Sequence, residues 1–464
     1  MKEKLKSAIL VTLVGASLAQ SYLLVFSSPK HLPAEQSVEY VETDIIGTKK
    51  TVEELLFPEQ IVLHLGNAKH AVLYPNNQLY KEVYKFLKGR TFDNFRRSSS
   101  FTTSAELADV RNNMPGVEVR FHDGIPIGVL KSVLQLKGDV MIENEAITRI
   151  WIYAKSEEEV KTYFMTDFVT YEVRADLNIK DVERMVGFSE LQQTYHSNDG
   201  EIYLPDDSIE VARYKIPFEL MTIEQLQNSL FVDPRNARNF RNRDGSEIFT
   251  DGKRGLQIRA DRLWMNYSDP IPAVEARNDV WENLRAAVQF INQHGGWNGT
   301  YMAKTIPLMP IVGQQQFVFR QYYDSFPIIG DEEDHFGLIK ITLQRGVTAN
   351  YERSLIVPKN ENIERSLAVL PGGKALEDII GAYPKRSSIV QVIPAYEPVI
   401  RDQHVELNPV WAVELRDGTY DLLKGQYFQG RRKPMDWGRA KTILIFSFLA
   451  LNLILGYELW AGRW

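Results

Sequence analysis

The chain has 464 residues, too many for one hydrophobic core, and its net charge of −6 argues against nucleic-acid binding, which calls for a basic domain. It has no cysteine, which excludes disulfides, thiolate metal sites and cysteine nucleophiles together. Hydrophobic residues make up 44% and charged residues 25%, ordinary proportions for a folded chain, so burial alone must hold each domain together.

Ala8 to Phe26 contains no charged residue. As a helix it would reach about 29 Å, close to the hydrocarbon thickness of a bilayer. Lys2, Lys4 and Lys6 precede it and favour a cytoplasmic amino terminus, so the body that follows is expected outside the membrane. The rival reading is a cleaved signal peptide, with Ser17-Leu18-Ala19 as a small-x-small cleavage site. The apolar run continues through Tyr22, Leu23, Leu24, Val25 and Phe26, which favours a retained anchor. On a helical wheel Thr12, Gly15, Ala16, Ala19 and Gln20 share one arc, with Val11, Val14, Leu18 and Val25 on the other side. Gly15 and Ala19 form a small-xxx-small pair that lets helices approach closely, so this face is the candidate packing surface.

Ser27 to Gly47 is polar and reads as a tether. Residues 30–205 are expected to form an amino-terminal α+β domain. Its elements are strands at Ile61 to Leu65 and Ala71 to Tyr74, and an amphipathic helix from Asn77 to Leu87. A strand at Val117 to Phe121 is followed by a turn at His122-Asp123-Gly124. Further strands are expected at Ile147 to Tyr153 and Lys161 to Arg174, with a short helix at Asp181 to Val186.

Residues 206–360 read as a central α+β domain. A helix spans Thr222 to Phe231. The pairs Asp244-Gly245 and Asp251-Gly252 are hairpin signals that bracket a strand at Ser246 to Thr250, and Gly255 to Trp264 continues the meander. The pattern at Asn278 to Asn292 predicts a helix stopped by Gly295-Gly296. Phe317 to Phe326 and Phe336 to Leu343 are expected to pair around the acidic tip Asp331 to Asp334, and Ser354 to Val357 adds a strand. Residues 361–430 repeat the order in small, with a helix at Gly373 to Tyr383 and strands at Val390 to Tyr396, Val410 to Leu415 and Thr419 to Leu423. Residues 431–464 hold a second apolar segment, Thr442 to Tyr457.

No G-x-S-x-G elbow, phosphate loop or H-E-x-x-H sequence is present. His64 and His70 flank the first hairpin and should lie close together, but a metal site needs a third ligand, and strand-surface histidines are the expectation. Asp331 to Asp334 could hold a hard cation, although solvated charges are the plainer reading. The acids of Asp244 to Asp251 are expected to serve turns. Asn266-Tyr-Ser268 and Asn298-Gly-Thr300 match the short glycosylation pattern. No catalytic, cofactor-binding or metal residue is therefore assigned, and no cofactor is expected.

Three stretches in order carry a family likeness: Asp244-Gly-Ser-Glu-Ile-Phe-Thr-Asp-Gly-Lys-Arg-Gly-Leu256, Gln391-Val-Ile-Pro-Ala-Tyr396 and Asn408-Pro-Val-Trp-Ala-Val413. With the amino-terminal apolar segment they resemble the YycH family of Gram-positive bacteria over roughly residues 5 to 430. The resemblance implies an α+β protein that is not an enzyme. It implies a single-pass cell-membrane regulator of the WalK (YycG) sensor histidine kinase, whose two-component system controls cell-wall metabolism. The partners it implies are that kinase and a YycI-like protein, met through the membrane helix and the outer domains. An extracytoplasmic cell-wall enzyme, or an inhibitor of one, is the alternative from a different class. Met435-Asp-Trp-Gly-Arg-Ala-Lys-Thr442 and the apolar run after it look like the start of a YycI protein, a departure from the family pattern. Arg431, Arg432, Lys433, Arg439 and Lys441 would sit outside before an inward helix and oppose the charge rule, so a seam between two reading frames is expected at Met435, the competing reading being a two-helix protein with a short cytoplasmic tail.

Overall fold

A computed structural model describes residues 47–424, apart from 99–103, 139–144, 188, 190–191, 198–199, 271–278, 310–312 and 331–334. The amino-terminal apolar segment with its face Thr12, Gly15, Ala16, Ala19 and Gln20 lies outside the described residues, as do the acidic tip and the segment 442–457. Among the described residues no helix is long and apolar enough to cross a membrane.

The fold is mixed α+β, built on three sheets of ten, nine and six strands among the described residues. At the centre of the first sheet lie Gln60–Gly66, Gly116–Pro126 and Ala146–Ala154. Their side chains alternate between two covered faces, as the two-residue period of a strand requires. Ile150 and Ile152 enter the main core, together with Leu79, Val83 and Leu87 of helix Gln78–Lys88. Trp151 and Tyr153 point the other way, where Leu107 and Val110 of helix Ser104–Asn113 cover them. That second helix is absent from the sequence expectations because its apolar positions are few. The other longer helices sit where their periodicity places them, whereas the single-turn helices Val52–Leu55 and Ile127–Leu130, too short to show a period, were not expected. Asn77 caps the first by accepting a 2.8 Å hydrogen bond from Leu79 N–H, and Thr222 with Gln225 forms a capping box on Ile223–Leu230.

The nine-stranded sheet joins two antiparallel runs through the pairing of Trp264–Ser268 with Val347–Ser354 and lies against helix Val280–Gln293, which buries Leu284, Ala287, Val288 and Ile291. The six-stranded sheet is organised around Ile209–Leu220, which pairs with Glu364–Leu370 and Ile356–Pro358 along one edge and with His404–Leu415 along the other. No strand was expected at 209–220, where Pro217 and the charged residues Glu210, Arg213 and Lys215 obscure the alternation. The expected central range 206–360 and final range 361–430 thus share one sheet.

Two expectations are corrected. Lys161 to Arg174 is not one strand but a hairpin, Val160–Met165 and Thr170–Ala175, whose turn is closed by Thr166 Oγ1 accepting from Val169 N–H at 2.9 Å. His122-Asp123-Gly124 does not end its strand. The register with Ala146–Ala154 runs from Arg120↔Arg149 to Ile125↔Ile147, so four residues bulge against one and the strand then resumes. Gly124, at φ +81°, supplies the left-handed turn.

Candidate functional site

That bulge positions the most unusual side chains in the molecule. A regular strand would point His122 and Asp123 along the sheet faces; the bulge carries them to where all three sheets meet. Glu59, at the mouth of strand Gln60–Gly66, is held beside them because its N–H donates to Arg120 O at 2.9 Å. The central sheet supplies Lys304, Arg320 and Tyr322. The last sheet supplies Glu414 and Tyr420, which face each other across paired strands joined by the Asp417-Gly418 turn.

His122 is the hub. Its Nδ1 lies 3.2 Å from Glu414 Oε1 and 3.9 Å from Glu59 Oε2, and its Nε2 lies 3.2 Å from Asp123 Oδ1. The Tyr420 ring stacks on the imidazole at 5.3 Å between centroids, with its hydroxyl 2.7 Å from Nδ1 and 3.3 Å from Glu59 Oε1. Arg320 and Lys304 approach the Tyr420 ring at 5.2 and 5.5 Å. Thr305 donates to Asp123 at 2.7 Å. Above the node opens a cleft of about 740 Å³ that Arg149, Asp167, Phe168 and Arg416 help to line.

The electrostatics follow from burial and neighbours. Burial raises the Glu59 carboxyl against the pull of His122, and the nearby Glu414 charge adds to the rise. Burial opposes charge on His122, but its hydrogen bond and attraction to Glu414, helped by Glu59 and Asp123, hold the imidazole above its ordinary value. Lys304 is held below the usual lysine range by burial and by Arg320. The node is thus a buried ion cluster of both signs, suited to holding a proton or a cation between carboxylates.

A second buried cluster lies within the first sheet. Arg111 grips Glu118 through two bonds of 3.0 and 3.1 Å, and Arg120 adds a third at 2.9 Å. His64 and His70 are register partners, with their Nδ1 atoms 3.0 Å apart, so their expected closeness is met. They are buried, however, and do not lie on a strand surface. The Glu118 that would serve as third ligand is already taken by the two arginines.

The remaining sequence candidates resolve into structure. Asp244 accepts from Ser246 N–H at 2.9 Å and Asp251 from Arg254 N–H at 2.7 Å, so these acids do serve turns. Asn298 donates to Ile356 O at 2.6 Å and accepts from Tyr301 at 2.8 Å, which occupies the amide a glycan would need. Nothing in the sequence joined Glu59, His122 and Glu414, which are far apart in the chain.

Two family profiles match the chain: "YycH protein, N-terminal domain" over residues 3–192 and "YycH protein, C-terminal domain" over residues 199–425. No curated protein sequence matches it. Among solved structures, that of YycH from Bacillus subtilis aligns with a TM-score of 0.66 at 17% identity, over 82% of this chain and 100% of that one; the fold is shared. An uncharacterized protein from Eubacterium rectale ATCC 33656 reaches a TM-score of 0.30 at 10% identity, over 48% of this chain and 84% of that one. The Bacillus megaterium YpeB C-terminal domain reaches 0.24 at 10% identity, over 44% of this chain and 99% of that one.

Proposed function

The chain belongs to the YycH family, and from that premise we propose that it is a membrane-anchored extracytoplasmic protein that modulates a WalK (YycG) sensor histidine kinase together with a YycI-like protein. The family is a regulatory one, not an enzyme family, and membership implies a regulator of the WalK two-component system. The observation that carries the reading is the pair of profiles, which together cover residues 3–192 and 199–425.

The finer reading rests on sequence. The amino-terminal profile begins at residue 3 and so takes in the apolar segment, which supports a native anchor. In this reading the amino terminus is cytoplasmic, the body is outside, and Thr12, Gly15, Ala16, Ala19 and Gln20 pack against a helix of the kinase or of the YycI-like partner. Gly15→Leu separates the helix backbones and alters kinase output, whereas Val14→Leu, on the other side, changes it little. Equal effects of the two substitutions in a reporter of the response regulator would refute the assigned face. Crosslinking from this segment in cells identifies the partner.

One observation favours the second reading, an extracytoplasmic cell-wall enzyme or an inhibitor of one: carboxylates do converge beneath a cleft. Against it, Glu59 is 2% exposed and does not line the cleft, and Glu414, which does line it, is already engaged with His122. Turnover of peptidoglycan by the purified chain, abolished by Glu414→Gln, would establish that second reading.

A further inference from the structure

The junction presents a set of donors whose geometry exceeds what an ion cluster needs. One ring nitrogen of His122 and one oxygen each of Glu59 and Glu414 all lie within 4.8 Å of one another. A tetrahedral ion with ligands at about 2.0–2.1 Å separates those ligands by roughly 3.3 Å. His122 Nδ1 and Glu414 Oε1 are already 3.2 Å apart, and Glu59 Oε2 needs to close by little from 3.9 Å. Glu59 is 2% exposed and its Oε2 makes no well-formed hydrogen bond, the Tyr322 hydroxyl, likewise without one, being the neutral group that interacts with this carboxylate. A buried carboxylate oxygen without a donor is costly unless a cation or proton meets it.

We propose that Glu59, His122 and Glu414 form a binding site for a divalent metal ion of the zinc class, which ties the first sheet to the last. One imidazole nitrogen with two carboxylate oxygens is a donor set for zinc and its neighbours; magnesium and calcium take oxygen ligands only. Asp123 lies 3.2 Å from Nε2, on the side from which a carboxylate can orient a metal-bound histidine, although Nε2 makes no hydrogen bond to it in this geometry. The formal charges leave room for the ion. Glu59, Asp123 and Glu414 carry three negative charges, against the two cations Arg320 and Lys304 that lie against the Tyr420 ring. The ion enters where the Tyr420 hydroxyl now meets Nδ1, and that hydroxyl keeps its bond to Glu59 Oε1. The fourth ligand is left to water from the cleft.

Two other histidine clusters are poorer sites and provide controls. Glu118 beside His64 is saturated by arginines, as described above. His196 lies 2.6 Å from Asp206 and 2.9 Å from Glu377, but its two ring nitrogens face different acids at the surface.

The test uses the full chain purified in detergent and stripped with a chelator. Zinc chloride is titrated in competition with a chromophoric chelator, and the thermal midpoint is followed in parallel. The expected result is one equivalent of zinc and a raised midpoint, with magnesium chloride giving neither. Glu59→Gln and Glu414→Gln each weaken the affinity by roughly tenfold or more and abolish the midpoint shift. His196→Gln changes nothing. Each variant's own cooperative transition shows that it is folded, and Glu414→Gln, at the cleft edge, covers the case in which Glu59→Gln is not. Absence of zinc binding, or binding that survives both glutamine substitutions or is lost with His196→Gln, overturns the site.

Discussion

Glu118 shows how much one buried charge governs in this chain. Burial penalises its carboxylate, yet Arg111 and Arg120 hold it well below the usual carboxylate range. Its removal leaves Arg120 without a carboxylate partner and Arg111 with only the partly exposed Glu201, 2.9 Å away. Glu118→Gln should therefore cost about 3–5 kcal/mol in urea unfolding, the usual penalty for breaking a buried pair. Asp93→Asn, which breaks a bridge to a largely exposed Arg174, should leave the midpoint near wild type. Two histidines make a second prediction. Burial pushes His70 down to about 3 and His294 down to about 4. Both titrate near 6.5 once unfolded, so between those values the unfolded chain binds more protons. Their contribution is complete above about pH 6.5 and is lost as pH falls through the folded values. His122 has the opposite sign, since its folded value is raised: its contribution is present at low pH and is lost as pH rises through that value. Urea midpoints measured from pH 7 to pH 4 should fall with acid, and His70→Gln should flatten the fall. A midpoint independent of pH would contradict the neutral buried state of His70. At this scale the His64–His70 contact was legible because a tight hairpin fixes which residues face each other. The Glu59–His122–Glu414 contact was not, because a bulge sets the direction of His122 and tertiary docking brings up Glu414.

Elements were legible where local chemistry marks their ends. Asn77, Thr222 and Asp279 cap helices that periodicity had already placed, and Asp417-Gly418 turns the last hairpin with Gly418 at φ +77°. They were illegible where pairing partners do the work. Val160–Met165 and Thr170–Ala175 read as one strand because their turn, Thr166 to Val169, contains no glycine or proline. The docking of one helix yields a third prediction. Helix Gly373–Gly381 begins against the 206–207 backbone, and a Cβ on Gly372 would lie 2.0 Å from Asp207 O. Backbone cannot yield as a flexible side chain can, so Gly372→Ala should destabilise by about 1–3 kcal/mol or more, as overpacking does. At Gly128, inside helix Ile127–Leu130, an added Cβ meets nothing within 4 Å. Gly128→Ala should be neutral or stabilise by about 0.5–1 kcal/mol through helix propensity. Thermal melts of the two variants check the pair, and an equal loss in both would refute the contact at Gly372.

At the scale of the whole molecule, sequence order and spatial order part company. The first and central sheets share one continuous apolar cluster, from Val52 and Leu55 through Ile127 to Leu284, Val288 and Tyr301. The last sheet has its own cluster, and Ile209, Val211 and Ile216 of the central range belong to it. Composition gives no sign of this, because a strand's partners are chosen by edges that the chain reaches some 150 to 200 residues later. A fragment of residues 206–360 would lose Glu364–Leu370 and His404–Leu415, the neighbours of Ile209–Leu220 on its two edges. It would expose Ile209, Val211 and Ile216, each worth about 1.5–3 kcal/mol when buried. It would also present unpaired strand edges, a template for aggregation. A fragment of residues 206–424 keeps every pairing of the two later sheets. The fourth prediction is that 206–360 aggregates on size-exclusion chromatography and shows no cooperative melt, while 206–424 elutes as a soluble species with a melt below that of the intact chain. The deficit reflects the lost apolar contacts with helix Val52–Leu55 and with Ile127, which lie in the amino-terminal region missing from that fragment. A monomeric, cooperatively melting 206–360 fragment would mean that Ile209–Leu220 is dispensable to it, and that the last sheet is an appendage and not part of the central fold.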